Sequence, residues 1–261
     1  MGILNVTPNS FSDGGRFDDF DRAVAQAGRM IDEGAAIVDV GGESTGPRSA
    51  PISAAEEQDR ALPVVEALVR RGDVIVSIDT YRAETARLAV AAGAHIVNDV
   101  WGLQREPEIA SVAAETGAGL VIMHNSRERQ TLDDPIADQF AFLGRSLEIA
   151  AQAGVEPGRI ILDPGFGFGK ETPESNLDLM ARFEELHALG FPLLAGASRK
   201  RFIGAATGRD LDGRAAGTAA SSAILRVKGA ALFRVHDVAI NVDALAVADA
   251  MLARMPAEPL S

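Results

Sequence analysis

The chain has 261 residues, 47% of them apolar, no cysteine, and a formal net charge of −12. The lack of cysteine rules out disulfides, thiolate metal sites and cysteine nucleophiles, and so acidic a chain has no broad basic surface for a nucleic-acid backbone. No stretch reaches the roughly 18–20 apolar residues of a membrane span, and the first residues lack the basic and apolar regions of a signal peptide. The expectation is a cytoplasmic protein that binds neither nucleic acid nor membrane, with residues 1–261 forming one domain.

Short apolar, β-branched runs recur along the chain: ILNV at 3–6, AIVDVGG at 36–42, VIVSID at 74–79, HIVNDV at 95–100, GLVIMH at 119–124, RIILDPG at 159–165, PLLAGAS at 192–198 and ALFRVHD at 231–237. None alternates cleanly between apolar and polar, which predicts strands buried on both faces, as in a parallel sheet. Helical patterns lie between them. Residues 19–33 place Ala23, Val24, Ala27, Met30 and Ile31 on one stripe, with Gly34 as the stop. Ser53 and Glu56 form a capping-box pattern that opens a helix ending near Gly72, and Pro63 is expected to bend that helix or delay its start. Residues 82–92 run into Gly93, and 173–189 into Gly190. Eight strand–helix alternations in a chain of this length predict a (β/α)8 TIM barrel in the α/β class. The alternative, an open doubly wound sheet, requires a glycine fingerprint after the first strand, and GILNVTP is not one.

Barrel enzymes carry their chemistry at the C-terminal ends of the strands. Each predicted strand delivers a polar group there: Asn5; Asp39; Asp79 and Thr80; Asn98 and Asp99; His124; Asp163, ahead of a loop ending in Lys170; Ser198, Arg199, Lys200 and Arg201; and Arg234, His236 and Asp237. Thr80, Asp99 and Asp237 read as caps. Asp39, Asp79, Asn98 and Asp163 lie inside apolar runs, where an unpartnered amide or carboxylate is costly. Either they satisfy one another as a polar plug, or a ligand rich in N–H donors meets them; taken singly, the two readings stand level. The basic groups gather after strands seven and eight, the phosphate corner of this fold. Arg234 and His236, two apart on a strand, face the same way, and both can donate to phosphate oxygens. The two halves predict a planar, nitrogen-rich heterocycle carrying a phosphoryl leaving group, with Asn5 and a divalent ion on the phosphate side.

The motifs MGILNVTPNSFSDGG, DVGGEST, SIDT, IVNDV, DPGFGFGK, SRKRFIG and RVHDV occur in this order. With them the chain resembles the dihydropteroate synthases from residue 1 to about 250. The resemblance implies a barrel enzyme of folate biosynthesis. Such an enzyme joins 6-hydroxymethyl-7,8-dihydropterin pyrophosphate to para-aminobenzoate and releases pyrophosphate and 7,8-dihydropteroate. It implies a pterin pocket of Asp79, Asn98, Met123, Asp163, Phe168, Gly196 and Lys200. It implies a pyrophosphate site of Asn5, Asp39, Arg234 and His236, with Asn5 holding Mg2+. The implied para-aminobenzoate contacts are Phe11, Thr45, Pro47, Ser198 and Arg199. Asp79, Asp163, Lys200, Arg234 and His236 would then carry catalysis, as electrostatic stabilisers of a dissociative, SN1-like substitution without a covalent enzyme intermediate. The resemblance also implies a homodimer, for which residues 215–228 and 243–255 offer apolar faces, and a short segment ahead of strand one.

The chain departs from the family pattern at three loops. Asn9 stands where the family usually has Asp, Gly46-Pro47-Arg48 where it has Arg-Pro-Gly, and residues 125–130 are unlike the usual stretch after Met-His. These changes predict ordinary pterin binding with altered handling of the aminobenzoate. Two other readings share some motifs. A pterin-dependent methyltransferase has no need of SRK and RVHD together, and the intact Lys200, Arg234 and His236 argue against a non-catalytic pterin-binding homologue.

Overall fold

The structure is a computed structural model and describes residues 1–7, 16–44, 50–170 and 172–255. Phe11, Thr45 and Pro47, and the departures at Asn9, Gly46 and Arg48, lie outside the described residues. All eight predicted strands are present. The first half runs β1 (Gly2–Asn5), α1 (Arg16–Asp32), β2 (Ile37–Gly41), α2 (Ala54–Arg71), β3 (Ile75–Asp79), α3 (Ala83–Ala91), β4 (Ile96–Asp99) and α4 (Glu108–Thr116). The second half runs β5 (Gly119–Met123), α5 (Pro135–Ala153), β6 (Ile160–Asp163), α6 (Pro173–Ala181), β7 (Leu194–Ala195), α7 (Arg201–Thr207), α8 (Ala215–Val227), β8 (Leu232–Phe233) and α9 (Val238–Leu252).

Strands β1 to β6 pair in sequence order, all parallel, and β7 pairs with β8. Single parallel bridges join the two sets, Leu162 to Leu193 and Gly2 to Val235. The Ile3 N–H donates to the Val235 carbonyl at 2.9 Å, and the Val235 N–H to the Met1 carbonyl at 2.9 Å. The eight strands thereby close into the expected barrel, with no free edge between β8 and β1.

The core lies between strands and helices. Val38, Val40, Val76, Ile78, Val97, Ile122 and Leu162 pack there with Ala27, Val65, Leu68, Ala89, Leu143 and Leu179. Because successive side chains alternate across a strand, the intervening Asp39, Ser77, Asp79, Asn98 and Asp163 face the barrel interior.

Two helices differ from expectation. Helix α2 runs unbroken through Pro63, with Ser53 Oγ accepting from the Glu56 N–H at 3.2 Å as predicted. Pro63 loses one backbone hydrogen bond, but Ala61, Val64, Val65 and Leu68 around it are fully buried, and that packing holds the helix together. The single helix expected over 173–189 stops at Ala181, and Phe183–Leu189 winds on as a 3-10 turn. Three residues per turn set Phe183 and Leu186 above one another, and both are fully buried. No described helix is long and apolar enough to cross a membrane.

Candidate active site at the barrel mouth

Strand register assembles the site. Gly41 stands level with Asn5 on one side and Asp79 on the other, and Asp79 stands level with Asn98. Met123 stands level with Asp163. Four strand ends thus form one polar rim, and Asp39 lies two residues deeper on β2. A Cβ on Gly41 would come within 3.6 Å of Asn5 Oδ1 and 3.7 Å of Asp79 Oδ2, so glycine keeps the space between those oxygens open. Gly196, at the end of β7, does the same for Asp163: a Cβ there would approach Asp163 Oδ2 to 3.2 Å.

Arg234 is the centre of the charge arrangement. Its Nε donates to Asp39 Oδ2 at 2.6 Å and its Nη2 to Asp79 Oδ2 at 2.6 Å. Asn98 Nδ2 also donates to Asp39 Oδ2, at 3.0 Å. The inward carboxylates therefore do partner one another's neighbours, as a polar plug would. The plug is incomplete, however. Asp39 Oδ1 and Asp79 Oδ1 are buried and have no hydrogen-bond partner. A native interior rarely leaves such atoms orphaned, so donors from a bound molecule are the natural complement. Burial pushes the Asp79 carboxyl up to about 7, against the downward pull of Arg234. Burial also raises Asp163 to about 6, although its Oδ1 accepts from the Gly165 N–H at 2.7 Å and Lys200 lies nearby. Both groups gain from donors that favour the ionised form.

The basic run after β7 splits by function. Lys200 turns inward, its Nζ 4.1 Å from the centre of the Phe168 ring, and burial lowers its ammonium to about 8. Arg199 pairs with Asp237 through two hydrogen bonds, Nε at 2.9 Å and Nη2 at 2.5 Å. Arg201 is exposed at the start of α7. Ser198 Oγ accepts from the His236 backbone N–H at 3.1 Å and meets His236 Nδ1 at 2.9 Å. The hydroxyl can complete this pair as donor or as acceptor, so it orients the ring without fixing its tautomer. Burial, followed by Arg234 and Arg199, pushes His236 down to about 4, so the imidazole is neutral near pH 7.

Met123 and Phe168 form an apolar patch with Tyr81 and Val100, and Trp101 packs against it. Two of the three expected caps satisfy nearby backbone N–H groups, while Asp237 opens α9 without a side-chain cap bond and pairs with Arg199 instead. Asp99 accepts from the Trp101 and Leu103 N–H groups at 2.8 and 2.6 Å, and Thr80 Oγ1 accepts from the Arg82 N–H at 3.1 Å.

Other groups escaped sequence reasoning. Arg127 lies 4.8 Å from the Phe168 ring centre, so Phe168 meets two cations; the unusual stretch 125–130 was the only signal of it. Arg82 donates to Glu43, to Glu57 and to the Ile52 carbonyl, tying both stems of the β2–α2 connection. His124 and Lys170, read from sequence only as the ends of two motifs, meet in the interior, where the fully buried His124 also contacts Asp138 and Arg129.

Comparison with known proteins agrees with this geometry. Residues 1–236 match the pterin binding enzyme family. The chain is 47% identical over 252 residues to the dihydropteroate synthase of Bacillus subtilis, covering 97% of this chain and 88% of that protein. The structure of the Clostridium difficile dihydropteroate synthase in the presence of pteroic acid superposes with a TM-score of 0.93 at 42% identity, over 96% of this chain and 95% of that one. The Xanthomonas albilineans enzyme with 4-aminobenzoic acid gives 0.92 at 43% identity, over 98% and 93% of the two chains. Neither the open sheet nor the methyltransferase reading has support in these matches, and the chain belongs to the pterin-binding enzymes, within the dihydropteroate synthase family.

Proposed function

We propose that this chain condenses 6-hydroxymethyl-7,8-dihydropterin pyrophosphate with para-aminobenzoate, forming 7,8-dihydropteroate and pyrophosphate, with the residue roles that follow. The observation that carries the reading is the partnerless, buried Asp79 Oδ1 on a rim shared with Asn5 and Asn98, with Asp163 at the end of β6 in the same barrel mouth. A pterin's amino and ring N–H groups supply the donors that Asp79 and Asp163 need, and Asn98 adds an amide. Phe168, Met123 and Gly196 wall the flat ring, and Lys200 sits against Phe168.

The phosphate side is built from Arg234, His236, Asn5 and Asp39. Arg234 spends two of its five N–H donors on Asp39 and Asp79, so the rest remain for pyrophosphate oxygens. His236 supplies a further donor when its Nε2 carries the ring proton. The donors present suit Mg2+: Asn5 Oδ1 is a hard oxygen facing open space at Gly41, and Mg2+ characteristically takes a few protein oxygens and completes its shell from phosphate and water. Among the described residues no cluster of three His, Asp or Glu forms a cage, so such an ion would be held jointly by Asn5 and the substrate. Bound there, Mg2+ supplies charge neutralisation to the leaving pyrophosphate.

The reaction breaks the bond between the pterin methylene and the pyrophosphate oxygen, and the electron pair leaves with the pyrophosphate. Arg234 and His236 stabilise that departing charge. Asp79 and Asp163 offset the cation left on the pterin methylene. The aminobenzoate nitrogen then bonds to that carbon and loses a proton. No residue need bond covalently to substrate. Ser198 and Arg199 border the approach from the β7 side; the aminobenzoate contacts Phe11, Thr45 and Pro47 are proposed on the family resemblance alone.

A homodimer is part of the proposal. Helix α9 is mostly apolar, with Asn241, Asp243 and Asp249 as its polar residues, and it leaves Ile240, Val247 and Met251 exposed, as α8 leaves Ile224 and Val227. Exposed apolar side chains in such number mark an interaction surface, and a second copy of the chain would bury them.

The test is turnover. Protein, pterin pyrophosphate, Mg2+ and para-aminobenzoate should yield dihydropteroate and pyrophosphate in equal amounts. Tight pterin binding without product would instead mark a non-catalytic homologue.

A further inference from the structure

His124 and Lys170 end two of the barrel's motifs, yet the chemistry above uses neither. The segment between Asp163 and Lys170 has no regular structure, and three of its residues, Gly165, Gly167 and Gly169, have positive φ of 65°, 77° and 70°. Glycine adopts such angles readily but holds them loosely. This segment nevertheless carries Phe168, and its Gly165 N–H fixes one oxygen of Asp163. Something must hold it still.

Asn176, Gln139 and the Ser126 N–H hold parts of its backbone, at Gly167 and Lys170, at Pro164 and at Phe168, and the Lys170 side chain ties the segment to the strand β5 end. Its Nζ donates to the Gly165 carbonyl at 3.0 Å, which also accepts from the Phe168 N–H at 3.1 Å, so the segment is closed end to end. Nζ lies 3.0 Å from His124 Nδ1, and His124 Nε2 lies 2.9 Å from Asp138 Oδ2 on α5. Among the described residues no carboxylate lies within ion-pair distance of Lys170. Burial, then Lys170 itself, pushes His124 down to about 4, so the ring is neutral near pH 7; its Nδ1 faces the lysine, and its Nε2 faces both Asp138 and Arg129, whose Nη2 lies 2.9 Å away. Burial alone would raise Asp138, but hydrogen bonds from His124 and Arg129 hold it below the usual carboxylate range. Arg129 also donates its Nη1 to Asp138 Oδ1 at 2.9 Å, which fixes the far end of the chain of contacts. The Phe142 ring, 4.9 Å from the imidazole, packs beside it.

We propose that Asp138, His124 and Lys170 form a buried tie that positions Asp163 and Phe168 for the pterin, with His124 Nδ1 as its connecting atom. The inference rests on the pterin site proposed above. All three are positioning residues and touch no substrate.

Two substitutions of His124 separate the tie from mere packing, because they remove the same ring. In His124→Asn the amide oxygen falls near the Nδ1 position and still accepts from Lys170. In His124→Gln the amide falls near Nε2, so the link to Lys170 is lost while the link to Asp138 is kept. Lys170→Met keeps volume and removes both of the lysine's hydrogen bonds, leaving His124 Nδ1 without a partner; a purely structural role would show as lost thermal stability with pterin affinity unchanged. Binding of 6-hydroxymethyl-7,8-dihydropterin by calorimetry and the KM for its pyrophosphate are measured alongside thermal melting. The expected result is an affinity loss and KM rise of about tenfold for His124→Gln and Lys170→Met, with the aminobenzoate KM unchanged and His124→Asn within about threefold of wild type. Equal values for the Asn and Gln variants, or Lys170→Met at wild-type affinity, would overturn the tie. If His124→Gln fails to fold, the Lys170→Met measurement decides alone. A wild-type protein that makes no dihydropteroate would sink the functional reading instead, which the wild-type control reports separately.

Discussion

Replacing Arg234 with methionine probes the arrangement at its centre. The Arg234 side chain is 17% exposed, and its guanidinium pairs with both Asp39 and Asp79, whose side chains are 0% and 4% exposed. Methionine fills much of the volume but leaves two buried carboxylates without their cation. Breaking a buried pair from one side costs about 3–5 kcal/mol, and here one deletion strips two partners, so a loss of about 4 kcal/mol at pH 7.5 is expected. The loss should depend on pH in a definite direction. Asp79 is already pushed up to about 7 by burial, with Arg234 as the opposing pull. Without that pull its folded-state pKa rises further, and protonation relieves the penalty as pH falls. Urea unfolding of wild type and Arg234→Met at pH 7.5 and 5.5 should show the difference shrinking by about 1–2 kcal/mol at the lower pH. Adding Asp79→Asn to the variant should restore about 1–2 kcal/mol at pH 7.5, because the two sites are in contact. A loss below about 1 kcal/mol, or one equal at both pH values, would refute the view that Arg234 neutralises buried carboxylates.

Four further outcomes follow from the same geometry. Affinity for 6-hydroxymethyl-7,8-dihydropterin should fall as pH drops below about 7 and more steeply below about 6, as Asp79 and Asp163 take up protons, and Asp79→Asn should remove the upper step in a calorimetric pH series. In the ligand-free protein the same two carboxyls bind more protons folded than unfolded, so their contribution to stability should decline as pH rises from about 4 to about 7. Gly165→Ala should cost about 3 kcal/mol or more in denaturant unfolding, because φ there is 65° and the new Cβ would stand 2.0 Å from the His124 carbonyl oxygen; a fully stable variant would contradict the described loop. Val247→Glu, at a site 73% exposed on α9, should convert a dimer to a monomer in sedimentation without changing the pterin affinity of the protomer.

Much of this molecule is legible in its sequence because the strands are short and uniform. Each apolar run ends in a polar residue, and the barrel's register sets those ends level. What remained hidden depends on contacts between distant parts of the chain. Arg234 lies 195 residues from Asp39, so sequence could bring both to the barrel mouth without showing that one guanidinium bridges two carboxylates. The basic run at 199–201 reads as a single cluster, yet only Lys200 turns inward, because Asp237 captures Arg199. The break after α6 was illegible because the helical pattern continues through it; the demand to bury Phe183 and Leu186 together decides the winding. His124 stood out only as a strand-end residue, and its role in the interior emerges from Lys170 and Asp138, each on a different loop or helix.

The central claim is a site of two halves, carboxylates for the pterin and Arg234 with His236 for the pyrophosphate. Calorimetry with two ligands, 6-hydroxymethyl-7,8-dihydropterin with and without its pyrophosphate, on Asp163→Asn and His236→Ala tests it most directly. The account predicts that Asp163→Asn weakens both ligands alike, while His236→Ala leaves the plain pterin unchanged and weakens only the pyrophosphate form. Equal weakening of both ligands by His236→Ala, or an Asp163→Asn protein that binds the plain pterin as tightly as wild type, would contradict it.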